Sequence, residues 1–315
     1  MRKALIVGIN DYPGAKLRGC VNDSNAIAEV LGTNGDGSPN FSVRLLTSPG
    51  CTLGRSDLRA AIEQLFEGDC DVCLFYFSGH GHIKSTGGYI VTTDAKKYDE
   101  GVSMDDLLVI ANRSRAKDKV ILLDCCHSGA LGTPAITGGN TSQLSEGLSI
   151  LTASRDSESA LEVRGRGVFT ALLADALYGG AADLRGYITA GSIYAYVDQA
   201  LGPWDQRPIF KTNVTRFTSL RSIAPPVPFE TLRNICTYFP NPQHEYTLDP
   251  SYEFTDKRAN AAHVAVMKDL QKFESVGLVV PVGEKHMYFA AMNSKACCLT
   301  ALGVQYWRLA REKRL

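Results

Sequence analysis

The sequence predicts an α/β fold, with a mostly parallel sheet carrying helices on both faces and a small α+β module after it. Three observations carry this reading. Lys3–Ile9 (KALIVGI) and Asp71–Gly79 (DVCLFYFSG) are continuous apolar runs rather than alternating ones, the pattern of strands covered on both faces of a parallel sheet. Segments with helical apolar spacing alternate with such runs through the first two-thirds of the chain, and alternating βα units build such sheets. Three prolines in four residues within Ser222–Glu230 (SIAPPVPFE) then break the composition. A stiff linker over 222–228 therefore separates a domain over 1–221 from one over 229–315.

The elements follow in order. After the first strand, Cys20–Leu31 has helical spacing at Val21, Ala26, Ile27 and Val30, and Ser42–Thr47 (SVRLLT) is a short strand. Asp57–Phe66 is helical through Leu58, Ala61, Ile62 and Leu65. Gly88–Asp94 (GYIVTTD) is a small extra strand, and Ser103 caps a helix to Ala111 with Asp105 and Asp106 in its first turn. Lys119–Leu123 and Leu148–Ser154 are strands, Phe169–Tyr178 and Ile193–Leu201 are helices, and RPIFKTN (Arg207–Asn213) is a last short strand. In the C-terminal part, Ala259–Val276 forms a long amphipathic helix. GLVVPV and HMYFAAM read as a two-stranded wing around Gly283, and a closing helix begins at Thr300. This order suggests a winged-helix-like module.

Composition excludes several classes. The 315 residues contain 33 Lys+Arg and 33 Asp+Glu, so no net charge drives binding to nucleic acid or membrane. No apolar run approaches the ~20 residues of a membrane span, and the N-terminal apolar run is too short for a signal peptide. A cytoplasmic protein is expected. Nine cysteines without a secretion signal point to free thiols rather than a disulfide framework.

Two strand ends carry the chemistry. FYFSGHGH places Ser78, His80 and His82 after one apolar strand, and LLDCCHSG places Asp124, Cys125 and Cys126 after another. Sites in open α/β sheets form at the carboxyl edge. If the two strands are neighbours, an imidazole faces a thiol, which is a Cys-His nucleophilic site. The surrounding glycines let a substrate carbonyl approach backbone N–H groups. Asp124, Cys125, Cys126 and His127 at one strand mouth are costly to bury without a task.

SGHG and DCCHSG, together with ALIVGINDYPG, LRGCVNDSNAIAEVL, ILTASRDSESALE, GVFTALLADAL and QRPIF, resemble the caspase-like cysteine peptidases, most closely the metacaspase branch of prokaryotic type. The resemblance spans roughly Lys3 to Asn213 and implies a caspase-like sheet. It implies His80 as general base, Cys126 as nucleophile, and the backbone N–H groups of Gly81 and Cys126 as oxyanion hole. It also implies that Cys20, Asp23, Ser78 and Asp124 line the pocket for the residue before the cut. Caspases proper cut after aspartate, using arginines there; metacaspases use acids and cut after Arg or Lys. Carboxylates pair a guanidinium in a fork geometry, so this chain is expected to cut protein substrates after Arg or Lys.

Blander readings stand beside these. Asp23 could cap its helix. Cys125 is expected to face away from Cys126 and pack, and His82 and His127 to be structural or solvent-facing. Cys70 and Cys73, with the histidines and cysteines that follow, have one C-x-x-C but no second zinc half-site. The resemblance offers calcium ligands at Asp94, Asp105 and Asp106, though Thr133 stands where the family has a further acid. Helix N-terminal charge stabilisation is the alternative for Asp105 and Asp106. No cofactor is needed for the chemistry. The basic end WRLAREKRL reads as a solvated face, so a regulatory protein partner is the expected role of the C-terminal module, and nucleic acid is argued against. The leading reading is a regulated thiol protease of stress or defence signalling. The alternative is a non-enzymatic regulator that binds nucleic acid or protein through its winged-helix-like module.

Overall fold

The computed structural model describes residues 1–85, 87–97, 99–125, 131, 143–153, 162–163, 166–201 and 207–315. The chain divides into two compact units, Met1–Ile223 and Ala224–Leu315.

In the first unit the strands are β1 (Arg2–Ile9), β2 (Ser42–Ser48), β3 (Val72–Ser78), β4 (Gly81–Lys84), β5 (Gly87–Lys96), β6 (Asp99–Ser103), β7 (Asp118–Asp124) and β8 (Leu148–Thr152). The short pieces β9 (Glu162–Val163), β10 (Arg166–Gly167) and β11 (Tyr187–Thr189) come next, then β12 (Ile209–Asn213) and β13 (Ser219–Ser222). Its helices are α1 (Cys20–Gly32), α2 (Arg55–Phe66), α3 (Met104–Arg113), α4 (Val168–Asp175) and α5 (Ala190–Ala200). Six strands form one sheet in the order β12-β8-β7-β3-β1-β2. All neighbours are parallel except β12, which runs antiparallel to β8. The predicted extra strand belongs to a separate antiparallel sheet, β4-β5-β6.

Strand alternation sorts side chains between two cores. Phe75 and Phe77 of β3 and Ile121 and Leu123 of β7 pack with α2 and α3, and Cys125 follows the same face. Leu74 and Tyr76, with Val120 and Leu122, pack with α1, α4 and α5. Apolar residues at every position are what two covered faces require. The register pairs Ser78 with Asp124, so the alternation turns both polar ends toward the α1–α4 side.

Gly8 lets α1 lie close on β1. A Cβ there would sit 2.4 Å from the Cys20 carbonyl oxygen and 2.3 Å from Ser24 Oγ. The Ser103 cap forms as predicted, its Oγ accepting from Asp105 N at 3.2 Å.

The second unit contains α6 (Phe229–Arg233), α7 (Ile235–Tyr238), β14 (Tyr246–Thr247), α8 (Ala261–Ser275), β15 (Val279–Val282), α9 (Met287–Met292), β16 (Ala296–Leu299) and α10 (Ala301–Arg311). Its sheet has the order β14-β16-β15 and is antiparallel. Thr300 caps α10 by accepting from Gly303 N at 2.9 Å. The wing differs from expectation. HMYFAAM forms helix α9, and the antiparallel partner of β15 is β16. Met287, Ala290 and Ala291 are the buried residues of that segment, an i, i+3, i+4 pattern that suits a helix face and not a strand.

Candidate active site

Parallel strands β1, β3 and β7 end on the same edge, and the polar residues that follow them meet there. Asp23, in the first turn of α1, and Asp124, at the end of β7, are both buried. Asp23 does not cap α1: the N-cap is Gly19, with no side-chain cap bond. Asp23 Oδ2 instead accepts from Gly167 N at 3.1 Å and from Ser78 Oγ at 3.4 Å. Asp124 Oδ2 accepts from Thr170 Oγ1 at 2.6 Å. A Cβ on Gly167 would lie 2.5 Å from Asp124 Oδ2 and 3.3 Å from Asp23 Oδ2. Both carboxylates therefore converge on one glycine, the N-cap of α4.

Two buried acids side by side are unfavourable unless something compensates them. The positive end of α4 and the hydrogen bonds contribute to that compensation. The field is felt by Tyr76, fully buried beneath the pair, whose phenol is pushed well above its usual pKa first by burial and then by Asp124 and Asp23. Cys20, at the first position of α1, is also buried. Cys20, Asp23, Ser78 and Asp124 thus all lie around the carboxyl edge between α1 and β7.

His80 follows β3 by two residues. Its Nε2 lies 2.7 Å from the Ala15 carbonyl oxygen. A carbonyl only accepts, so Nε2 carries the proton and Nδ1 is left with the lone pair. The ring packs on Tyr12, with centroids 4.6 Å apart. A cavity of about 420 Å³ opens beside His80, bounded by Tyr12, Gly81, Val91, Lys97 and Glu100 among others. Cys125 is fully buried in the α2–α3 core, where it was expected to pack. Cys126, the expected nucleophile, lies outside the described residues.

A family model described as the caspase domain matches residues 1–218. The chain belongs to the caspase-domain peptidase family. Metacaspase III c of Phaeodactylum tricornutum is 30% identical over 147 residues, covering 41% of this chain and 43% of that protein. The chain thus spans less than half the length of this curated relative. Caspase-1 from Spodoptera frugiperda shares the fold at TM-score 0.50 and 16% identity, covering 70% of this chain and 90% of its own. A structural-genomics protein from Geobacter sulfurreducens does so at TM-score 0.52 and 16% identity, covering 70% and 98%.

Within this caspase-like domain the acids offered for calcium are not gathered. Asp94 lies at the start of α2, accepting from Arg55 N at 3.1 and 3.2 Å and from Thr92 Oγ1 at 2.6 Å. Burial raises its carboxyl, but these hydrogen bonds outweigh burial and its pKa lies below the usual range. Asp106 is paired with Arg59 Nη1 at 2.5 Å. Burial, and then Asp106 nearby, raises Asp105. Among the described residues no three His, Cys, Asp or Glu side chains group as metal ligands, and Thr133 lies outside them. As arranged, these acids do not fit a calcium ion.

The zinc reading fails on placement. Cys70 and Cys73 pair with each other in a disulfide, a single local link and not a framework. Both side chains belong to the α2–α3 core, where they meet. Cys51, Cys236, Cys297 and Cys298 are free thiols. Among the described residues no helix is long and apolar enough to cross a membrane.

Sequence reasoning missed Tyr76, Gly167 and Thr170 as supports of the acid pair. Gly167 and Thr170 stand in GVFT, a segment with helical spacing and no charge. The only local signal was a glycine immediately before a helix start.

Proposed function

We propose that this chain is a cysteine endopeptidase that hydrolyses peptide bonds after Arg or Lys. The observation that carries the specificity is the convergence of Asp23 and Asp124 on Gly167. A guanidinium or ammonium entering there would neutralise two buried carboxylates. A carboxylate guest would add a third negative charge.

The chemistry follows from His80. With Nε2–H held by Ala15, Nδ1 takes the proton of the Cys126 thiol. The thiolate attacks the scissile carbonyl carbon, and the oxyanion is met by the N–H groups of Gly81 and Cys126. Collapse breaks the C–N bond as imidazolium returns its proton to the leaving amine. Water, deprotonated by His80, then attacks the thioester. A second collapse releases the carboxylic acid and the thiolate, which recovers the proton. The cavity beside His80 can take the chain that follows the cut. No step here is routed through calcium.

The substrate is a protein with an accessible basic residue, and the role we assign is regulated proteolysis in stress or defence signalling within the cytoplasm. Residues 224–315 are the candidate docking module for a regulatory protein. Hydrolysis of fluorogenic peptides ending in Arg, Lys or Asp, compared between wild type and Cys126→Ala, tests the activity. Turnover of Arg and Lys peptides by wild type alone is the expected result; no turnover, or Asp preference, refutes it.

A further inference from the structure

Tyr12 sits where three segments meet around His80. Its hydroxyl accepts from His80 N at 3.0 Å and donates to the Val91 carbonyl at 3.3 Å. Val91 N in turn donates to the His80 carbonyl at 3.0 Å, so the phenol closes a ring of bonds between β5 and the residue after Gly79. The Tyr12 carbonyl accepts from Ala15 N at 3.3 Å. It thereby shapes the turn whose Ala15 carbonyl receives His80 Nε2–H. The phenol ring lies against the imidazole at 4.6 Å, tilted by 55°. Only glycine at position 79 permits this, since a Cβ there would sit 2.4 Å from the Tyr12 hydroxyl. Tyr12 is 3% exposed. Burial, opposed by the His80 N–H bond, pushes its pKa well above the ordinary phenol value, so the hydroxyl stays a donor throughout the working pH range.

We propose that Tyr12 is a positioning residue for His80: its side chain fixes the backbone and the ring plane, and its main-chain carbonyl shapes the turn that supplies the tautomer-setting carbonyl. The inference rests on the reading of His80 and Cys126 as the catalytic pair. Tyr12 touches neither the substrate bond nor the thiol in that scheme. Its effect is on where Nδ1 points, and a small misplacement of a reacting group costs up to about 100-fold.

The test uses the full-length chain and two readouts. The first is kcat and KM on an Arg peptide. The second is iodoacetamide alkylation of Cys126 against pH, followed by peptide mass mapping so that other thiols do not interfere. Wild type is expected to alkylate well below the ordinary thiol midpoint of about 8.5, and His80→Ala to lose that advantage. If the two profiles coincide, the Cys-His reading fails, whatever Tyr12 does. If they differ, Tyr12→Phe is expected to lower kcat about tenfold with KM within about twofold, and to move the alkylation midpoint toward the free-thiol value. Wild-type kcat in Tyr12→Phe, or a lowered kcat with an unmoved alkylation profile, overturns the proposal. Should the variant fail to fold, hydrogen exchange of the wild-type His80 amide decides. Slow exchange supports the bond to Tyr12, and exchange at the free-loop rate overturns it.

Discussion

Thr170 Oγ1 donates to Asp124 Oδ2 at 2.6 Å and is itself 2.6 Å from the Tyr76 hydroxyl. Because the threonine proton goes to the carboxylate, the tyrosine must donate to the threonine. A relay Tyr76→Thr170→Asp124 thus holds the carboxylate from below, and α4 is locked to β3 and β7 by the same bonds. Thr170→Val keeps the shape and removes the donor. Hydrogen bonds to charged groups contribute about 1.5–3 kcal/mol. The variant is therefore expected to lose about 10- to 100-fold in kcat/KM on Arg peptides. Equal kcat/KM in variant and wild type would show that Asp124 needs no such support.

Removing the carboxylate itself has a larger effect. Asp124→Ala is expected to reduce kcat/KM on Arg peptides by at least about 100-fold, since a guanidinium in a buried pocket would lose its partner at a cost of about 3–5 kcal/mol. Asp23→Ala should act in the same direction. The decisive measurement is the Arg-over-Asp preference of each variant. If that ratio stays at the wild-type value, Asp23 and Asp124 do not form the specificity pocket.

Gly167 offers an independent test of the same geometry. Its φ of −65° is open to any residue, so Gly167→Ala introduces no backbone strain. The added methyl would meet Asp124 Oδ2 at 2.5 Å and displace the carboxylate. The expected result is a fall of at least about tenfold in kcat/KM with a small change in melting temperature, because the overpacking falls on a side chain at the pocket edge. A variant with full activity would mean the pocket lies elsewhere.

Much of this was legible before the structure. The central strands β1, β3 and β7 were readable because each carries an apolar run covered on both faces, and the strand ends because charge there has no structural excuse. Asp23 was the harder case: a helix-starting acid has a cap as its ordinary use, and only the bond to Gly167, 144 residues away, separates the two roles. Thr170 and Tyr76 were invisible because one reads as a helix residue and the other as a core aromatic. Their polar tips matter only once α4 lies over β3. The segment Met287–Met292 was misread because six residues are too few to separate alternation from helical period when nearly all are apolar.

Acid sensitivity has one local source that can be isolated. The Asp71 carboxylate receives Lys117 Nζ at 2.7 Å and the amino-terminal nitrogen at 2.6 Å. Lys117 first, and then the amino terminus, lowers its pKa from 3.8 to about 2. A carboxyl depressed in the folded state contributes stability that is complete above its ordinary pKa and is lost as pH falls toward the folded value. Between about pH 4 and pH 2, Asp71→Asn should therefore lose less stability than wild type. The two proteins should converge at the acid end. Parallel melting-temperature curves across that window would assign the acid response to other groups.

Activation by self-cleavage is constrained by composition alone. From Val120 through Ser154 the sequence contains no Lys or Arg. An enzyme that cuts after basic residues has no site in the segment that follows its nucleophile, most of which lies outside the described residues. Arg155, Arg164 and Arg166 are the nearest later basic residues, and Arg221, entering the Pro-rich linker, is a further candidate. Arg221 is buried and bonded to the Thr33 and Leu177 carbonyls, which removes it from that set in the folded protein. The chain is therefore expected to be active without cleavage between Cys126 and Ser154. Control then falls to a partner or to residues 224–315. Intact mass and N-terminal sequencing of active protein should return no boundary in Ala130–Gly147. A boundary there, absent in Cys126→Ala, would defeat both this expectation and the specificity for basic residues.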